Sequence, residues 1–220
     1  MLRFLPLLVA ILPLAGVTAA YWLNINAGVL PACLPFLDGC VSISATGRYL
    51  PGSLPFRAAL LPQAALLCVT WWLSIAWLQR LYSVRFRLHR WILVTGVVGA
   101  LALIVYVTFL GTTHPIYEFM RRFGIYFYFL GTVLAQLLLT LCIERSKLRR
   151  VMLAIVSMPF ALGIANLCLK MLLSDPDGIE NAIEWISAAL MQFWFVLLFI
   201  AWHRTGLSIR VETDSSSAHL

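Results

Sequence analysis

Four stretches of this 220-residue chain set hydroxyl, imidazole, guanidinium or carboxyl groups at the margins of apolar segments. The first is Ser42-Ile43-Ser44-Ala45-Thr46-Gly47-Arg48. Hydroxyls at alternate positions share one face if the segment is extended. Gly47 permits a tight turn, and the Arg48 guanidinium can fork onto a phosphate. The second stretch, Thr113 to Glu118, holds His114, which titrates near neutral pH and can carry a proton or meet a headgroup. Pro115 suits a first helical turn, with Thr113 or His114 near the cap and Glu118 near the positive end of the helix dipole. The third pairs Asn166 with Lys170, four apart and on one helix face. The fourth is Glu184, followed by Trp185. Lys170 and Glu184 sit at similar depth. They can pair, or Lys170 can snorkel to the interface.

Acyl transfer or hydrolysis needs a base and a group for it to activate. His114, oriented by Glu118 or Glu184, is the candidate base, and Ser42 or Ser44 the candidate nucleophile. No recognised nucleophile motif surrounds either serine. No His/Cys spacing resembles a zinc site, so no metal is expected, and no cofactor is expected either. Binding a lipid headgroup asks less. Ser42, Ser44, Thr46, Arg48, His114, Glu118, Lys170 and Glu184 all fall in outer loops or at outer span ends, so one interface layer can hold them. The structural alternative is a turn-rich connector with capping residues and interface anchors.

Six apolar stretches must position these groups. They run approximately from Phe4 to Leu23, Ala58 to Leu78, Trp91 to Leu110, Phe123 to Ile143, Val151 to Leu173 and Ala182 to Trp202. About 20 helical residues cross the hydrocarbon core, and in lipid the backbone must satisfy its own hydrogen bonds. The expected fold is therefore all-α: a polytopic membrane protein with a six-helix transmembrane bundle. The composition, 62% apolar and 11% charged, agrees. One domain over residues 1–211 is expected, with a disordered, serine-containing tail over 212–220.

The basic residues are placed unevenly. Arg80, Arg85, Arg87 and Arg90 lie between the second and third spans, and Arg145, Lys147, Arg149 and Arg150 between the fourth and fifth. Arg3, Arg204 and Arg210 fall on the same side. Short loops rich in Lys and Arg stay cytoplasmic, which puts both termini inside. Arg48, Arg57, Arg121 and Arg122 are the exceptions on the outer side. The net charge of +7 follows from these flanking residues, which form no soluble basic patch, so nucleic acid is not an expected partner.

The N-terminal segment has two readings. It is a retained first span with Tyr21 and Trp22 as interfacial anchors, or a signal peptide cleaved after Val17-Thr18-Ala19. Cys33 and Cys40 share the first outer loop, where an oxidising compartment would allow a disulfide, although spacing alone does not establish its geometry. Cys68, Cys142 and Cys168 lie in spans and read as packing residues. Gln136 and Gln192 read as interhelical hydrogen-bonding groups.

Three blocks together resemble the family of FGF-receptor-activating protein, the damage-regulated autophagy modulators and the GPI-anchor lipid-remodelling factors. One is Ser42-Ile43-Ser44-Ala45-Thr46-Gly47 with Pro51 and Phe56-Arg57. Another runs from His114 to Gly131 through Tyr126-Phe127-Tyr128-Phe129. The last is Glu184-Trp185. The resemblance implies a six-span protein that handles or senses membrane lipids. This chain is more compact than the eukaryotic pattern, and Asn24-Ile25-Asn26 is not a glycosylation sequon. A bacterial inner-membrane member is favoured over one in a eukaryotic secretory membrane, and its lipid would then be a phospholipid or glycolipid. The leading expectation is a protein that binds or remodels lipid at the outer interface. A non-enzymatic adaptor that organises partner proteins is the alternative. A lipid transporter or scramblase is weaker, because mid-span charges and inverted repeats are lacking.

Overall fold

A computed structural model describes residues 2–81, 86–172 and 177–205, without the side chains of Phe86, Arg87 and Lys170. Arg85, Arg210 and the tail over 212–220 lie outside the described residues. Eight α-helices are described: α1 (Leu5–Asn26), α2 (Pro35–Asp38), α3 (Ile43–Thr46), α4 (Ser53–Leu81), α5 (Phe86–Phe109), α6 (Pro115–Cys142), α7 (Lys147–Leu172) and α8 (Asp177–Arg204). Six of them are long and apolar enough to cross a membrane. The chain is an all-helical integral membrane protein.

The helices start earlier than hydropathy suggests. α6 begins at Pro115, eight residues before the apolar stretch, and α4 begins at Ser53. Hydropathy stops where polar residues begin, whereas the backbone ladder continues until something caps it. At α6 that cap is His114, whose Nδ1 accepts from the Ile116 N–H at 3.4 Å, with Pro115 in the first turn.

Two kinds of packing hold the bundle. Small residues let helix backbones approach. A Cβ on Gly131 of α6 would stand 2.7 Å from the Thr95 carbonyl of α5, and one on Gly124 would stand 2.8 Å from the Tyr106 amide nitrogen. Gly16 of α1 similarly faces Ala59 of α4. Large aromatics then fill the basic end. Trp71, Trp77, Trp194 and Trp202 are fully buried, with Trp71 and Trp194 ring centroids 6.2 Å apart. α1 packs on α4 and α8, burying Val9, Ala10 and Ala20.

α7 is the loosely held element. Only 11% of its apolar window is buried, against 39–50% in the other five. One flank of α6 and α8 near the first connection is therefore left as a cleft.

The first connection, 27–52, is not an extended strap. Ser42 caps α3, its Oγ accepting from the Ala45 N–H at 3.2 Å, and α3 makes one helical turn. Helical geometry separates Ser42, Ser44 and Thr46, which corrects the expectation of one shared face. Cys33 and Cys40 form a disulfide, their Cα atoms 6.7 Å apart.

Candidate functional site

The first connection is pinned down by side chains from α1 and α8, and the neighbouring α5–α6 connection by one from α4. Asn24 of α1, fully buried, donates through Nδ2 to the Thr46 carbonyl at 2.9 Å and accepts the Gly52 N–H on Oδ1 at 3.1 Å. From α8, Trp185 Nε1 donates to the Val41 carbonyl at 2.8 Å, and Asn181 Nδ2 donates to the Gly39 carbonyl at 2.8 Å. The Arg57 guanidinium of α4 donates to the Leu110 carbonyl at 2.7 Å. The Tyr21 hydroxyl accepts the Cys33 N–H at 3.1 Å, and Phe36 packs on the Trp185 ring at 5.3 Å. Each bond satisfies a backbone group that would otherwise be costly to leave unpaired. α2 and α3 thus become a fixed lid edge over the bundle.

Beneath that edge lies a cavity of about 710 Å³ between α6, α7 and α8. Its upper wall is polar: Ser42, Ser44, Arg48, Tyr106 and Glu184, with Arg121, Arg122, Glu180 and Asn181 around the rim. Its lower wall is apolar, with Ile125, Phe129 and Val133 of α6 facing Pro159, Phe160 and Ile164 of α7. Glu184 accepts hydrogen bonds from the backbone N–H groups of Ile43 and Ser44. The Ser44 Oγ lies 3.0 Å from the Tyr106 hydroxyl. The Arg48 Nε is shielded from solvent and has no hydrogen-bond partner among the described residues.

Of the candidates named from sequence, Ser42, Ser44, Arg48 and Glu184 come together on this wall. Thr46 does not. It is buried, and its hydroxyl donates to the Ile43 carbonyl at 2.7 Å. His114 and Glu118 are exposed on the first turn of α6 and do not line the cleft. The carboxyls that line the cleft are Glu184 and, at the rim, Glu180, while His114 serves as a cap. The Lys170 side chain lies outside the described residues, so its pairing with Glu184 is not described. Ser42 is occupied by its own capping bond.

Sequence reasoning missed Tyr106, Glu180 and Asn181 as wall residues. Tyr106 sits inside an apolar span, where an aromatic residue reads as core. Arg121 and Arg122 carried a usable signal, since they break the charge asymmetry of the loops. Their place beside Arg48 needs the three-dimensional fold. No protein-family model, curated protein or solved structure matches the chain.

Proposed function

We propose that the protein binds a membrane lipid in the cleft between α6, α7 and α8, with an anionic headgroup at the polar upper wall. One observation carries this reading: a single cavity is polar and arginine-rich at one end and mainly apolar along the rest, with Asn166 and Ser187 as the polar residues there. Soluble ligands have no use for the lower half, and a bare hydrocarbon has none for the upper. Leu130, Ile164 and Leu167 line the cleft and are themselves exposed on the flank that faces lipid. A lipid can therefore enter sideways.

Depth supports the same occupant. From Arg121 to Val133 the cleft follows α6 for twelve residues, about 18 Å of helix. One leaflet of hydrocarbon is roughly 15 Å, half of the core. The loop end faces outward by the Lys/Arg asymmetry, so the lipid belongs to the periplasmic or luminal leaflet. A bacterial inner membrane is the favoured location. This reading joins the chain to the lipid-handling six-span family that it resembles.

The test is lipid content per folded molecule, read by native mass spectrometry of detergent-purified protein. Arg48→Ala and Arg121→Ala should each lower the bound fraction of anionic lipid severalfold. Unchanged lipid content in folded variants would contradict the reading.

A further inference from the structure

Behind Glu184 the cleft shares a wall with a second cavity. Tyr106, Ile125, Phe129 and Glu184 line the outer cleft and also a second, inner chamber of about 100 Å³ at the centre of the bundle. Val17 of α1, Leu60 of α4 and Ala188 of α8 contribute apolar walls to it. Gln192 of α8 lines the chamber as well and is 3% exposed. Its side chain hydrogen-bonds Tyr128, yet its Oε1 is buried with no partner among the described residues.

These facts constrain the occupant. A plain hydrocarbon would fill the apolar walls and leave the Gln192 oxygen unpaired, which is costly in a low-dielectric interior. Water would satisfy that oxygen but wet walls that are mostly apolar. An apolar chain with one hydroxyl group satisfies both. We propose that the inner chamber receives the hydroxyl-bearing part of a lipid's apolar body, with the hydroxyl donating to Gln192 Oε1. The proposal rests on the lipid reading of the cleft and narrows the ligand to a class, an anionic lipid with a hydroxylated chain.

The hydroxyl position follows from geometry. Gln192 lies eight residues beyond Glu184, about 12 Å along α8. An extended chain advances about 1.2 Å per bond. The hydroxyl therefore falls roughly ten bonds below the headgroup layer.

The experiment compares two lysophosphatidic acids bound to the full-length protein in detergent, by native mass spectrometry. One carries a stearoyl chain, and the other carries the same chain hydroxylated at carbon twelve. The hydroxylated probe should bind about tenfold more tightly, the factor given by one well-formed hydrogen bond to a buried acceptor. Gln192→Leu should bring both probes to the affinity of the plain one. Ala188→Leu, which fills the chamber and leaves the acceptor, should remove the same advantage. Equal affinities in the unsubstituted protein would overturn the chamber proposal and leave the cleft reading standing. A hydroxyl advantage that survives Gln192→Leu would also overturn it. If neither probe binds, the cleft reading falls and this proposal with it.

Discussion

Asn24, at the end of α1, holds the Thr46 carbonyl at 2.9 Å, while Glu184 of α8 accepts the N–H groups of Ile43 and Ser44, so α3 is held at both its ends. The same carboxamide accepts the Gly52 N–H, so one side chain fastens two points of the first connection. Position 52 needs glycine for this contact, because an added Cβ would clash with the Asn24 carboxamide. Asn24→Ala leaves a buried donor and a buried acceptor unpaired and should cost about 2–4 kcal/mol. Thermal unfolding in mild detergent reads this directly. A variant as stable as the parent would show that the connection is held elsewhere.

The disulfide between Cys33 and Cys40 closes a small loop beside α2. Both cysteines should resist alkylation in the folded protein until a reductant is added. Chain-entropy reasoning assigns a loop of this size about 2–3 kcal/mol, so Cys33→Ser should lower stability by that order. Free alkylation of Cys33 and Cys40 in unreduced protein would contradict the bridge.

Two glycines in neighbouring helices should respond with opposite signs. At Gly131 an added Cβ meets the α5 backbone, so Gly131→Ala should destabilise by more than about 1 kcal/mol. At Gly163 an added Cβ meets nothing within 4 Å, and the site is helical. Gly163→Ala should be neutral or stabilising by up to about 1 kcal/mol. Equal losses at both positions would show that the α5–α6 seam is not special.

Topology is a separate expectation. Fusions of a compartment reporter after Ser146 should report cytoplasm, and insertions near Ser44 should report the outer side, because Lys and Arg crowd the connections at the basic end. The reverse pattern would place the cleft in the other leaflet.

Much of this fold was legible because a bilayer sets a length and forbids an unpaired backbone. The six spans follow from apolar runs alone. Apolar runs start later than the helices, but the start of α6 was legible from Pro115 and the cap before it; the start of α4 at Ser53 was not marked in the sequence. The alternating hydroxyls of Ser42, Ser44 and Thr46 suggested an extended face, but the Ser42 cap starts a helical turn that scatters them. Glu184 and Arg48 were legible as expensive or misplaced charges. Tyr106 was not, because nothing in a run of apolar residues marks the one whose hydroxyl meets Ser44. His114 was legible both as a titratable group and as a cap before Pro115, and it is the cap.

The central claim is that a lipid occupies the α6–α7–α8 cleft. Gly163→Leu tests it most directly, because this position lines the cleft and a Cβ added there meets nothing within 4 Å. The measurement is bound lipid per folded molecule by native mass spectrometry, with unfolding temperature recorded on the same sample. A lipid-filled cleft predicts that Gly163→Leu keeps the parent's stability and loses most of its bound lipid. Full lipid occupancy in a stably folded Gly163→Leu protein would contradict the account.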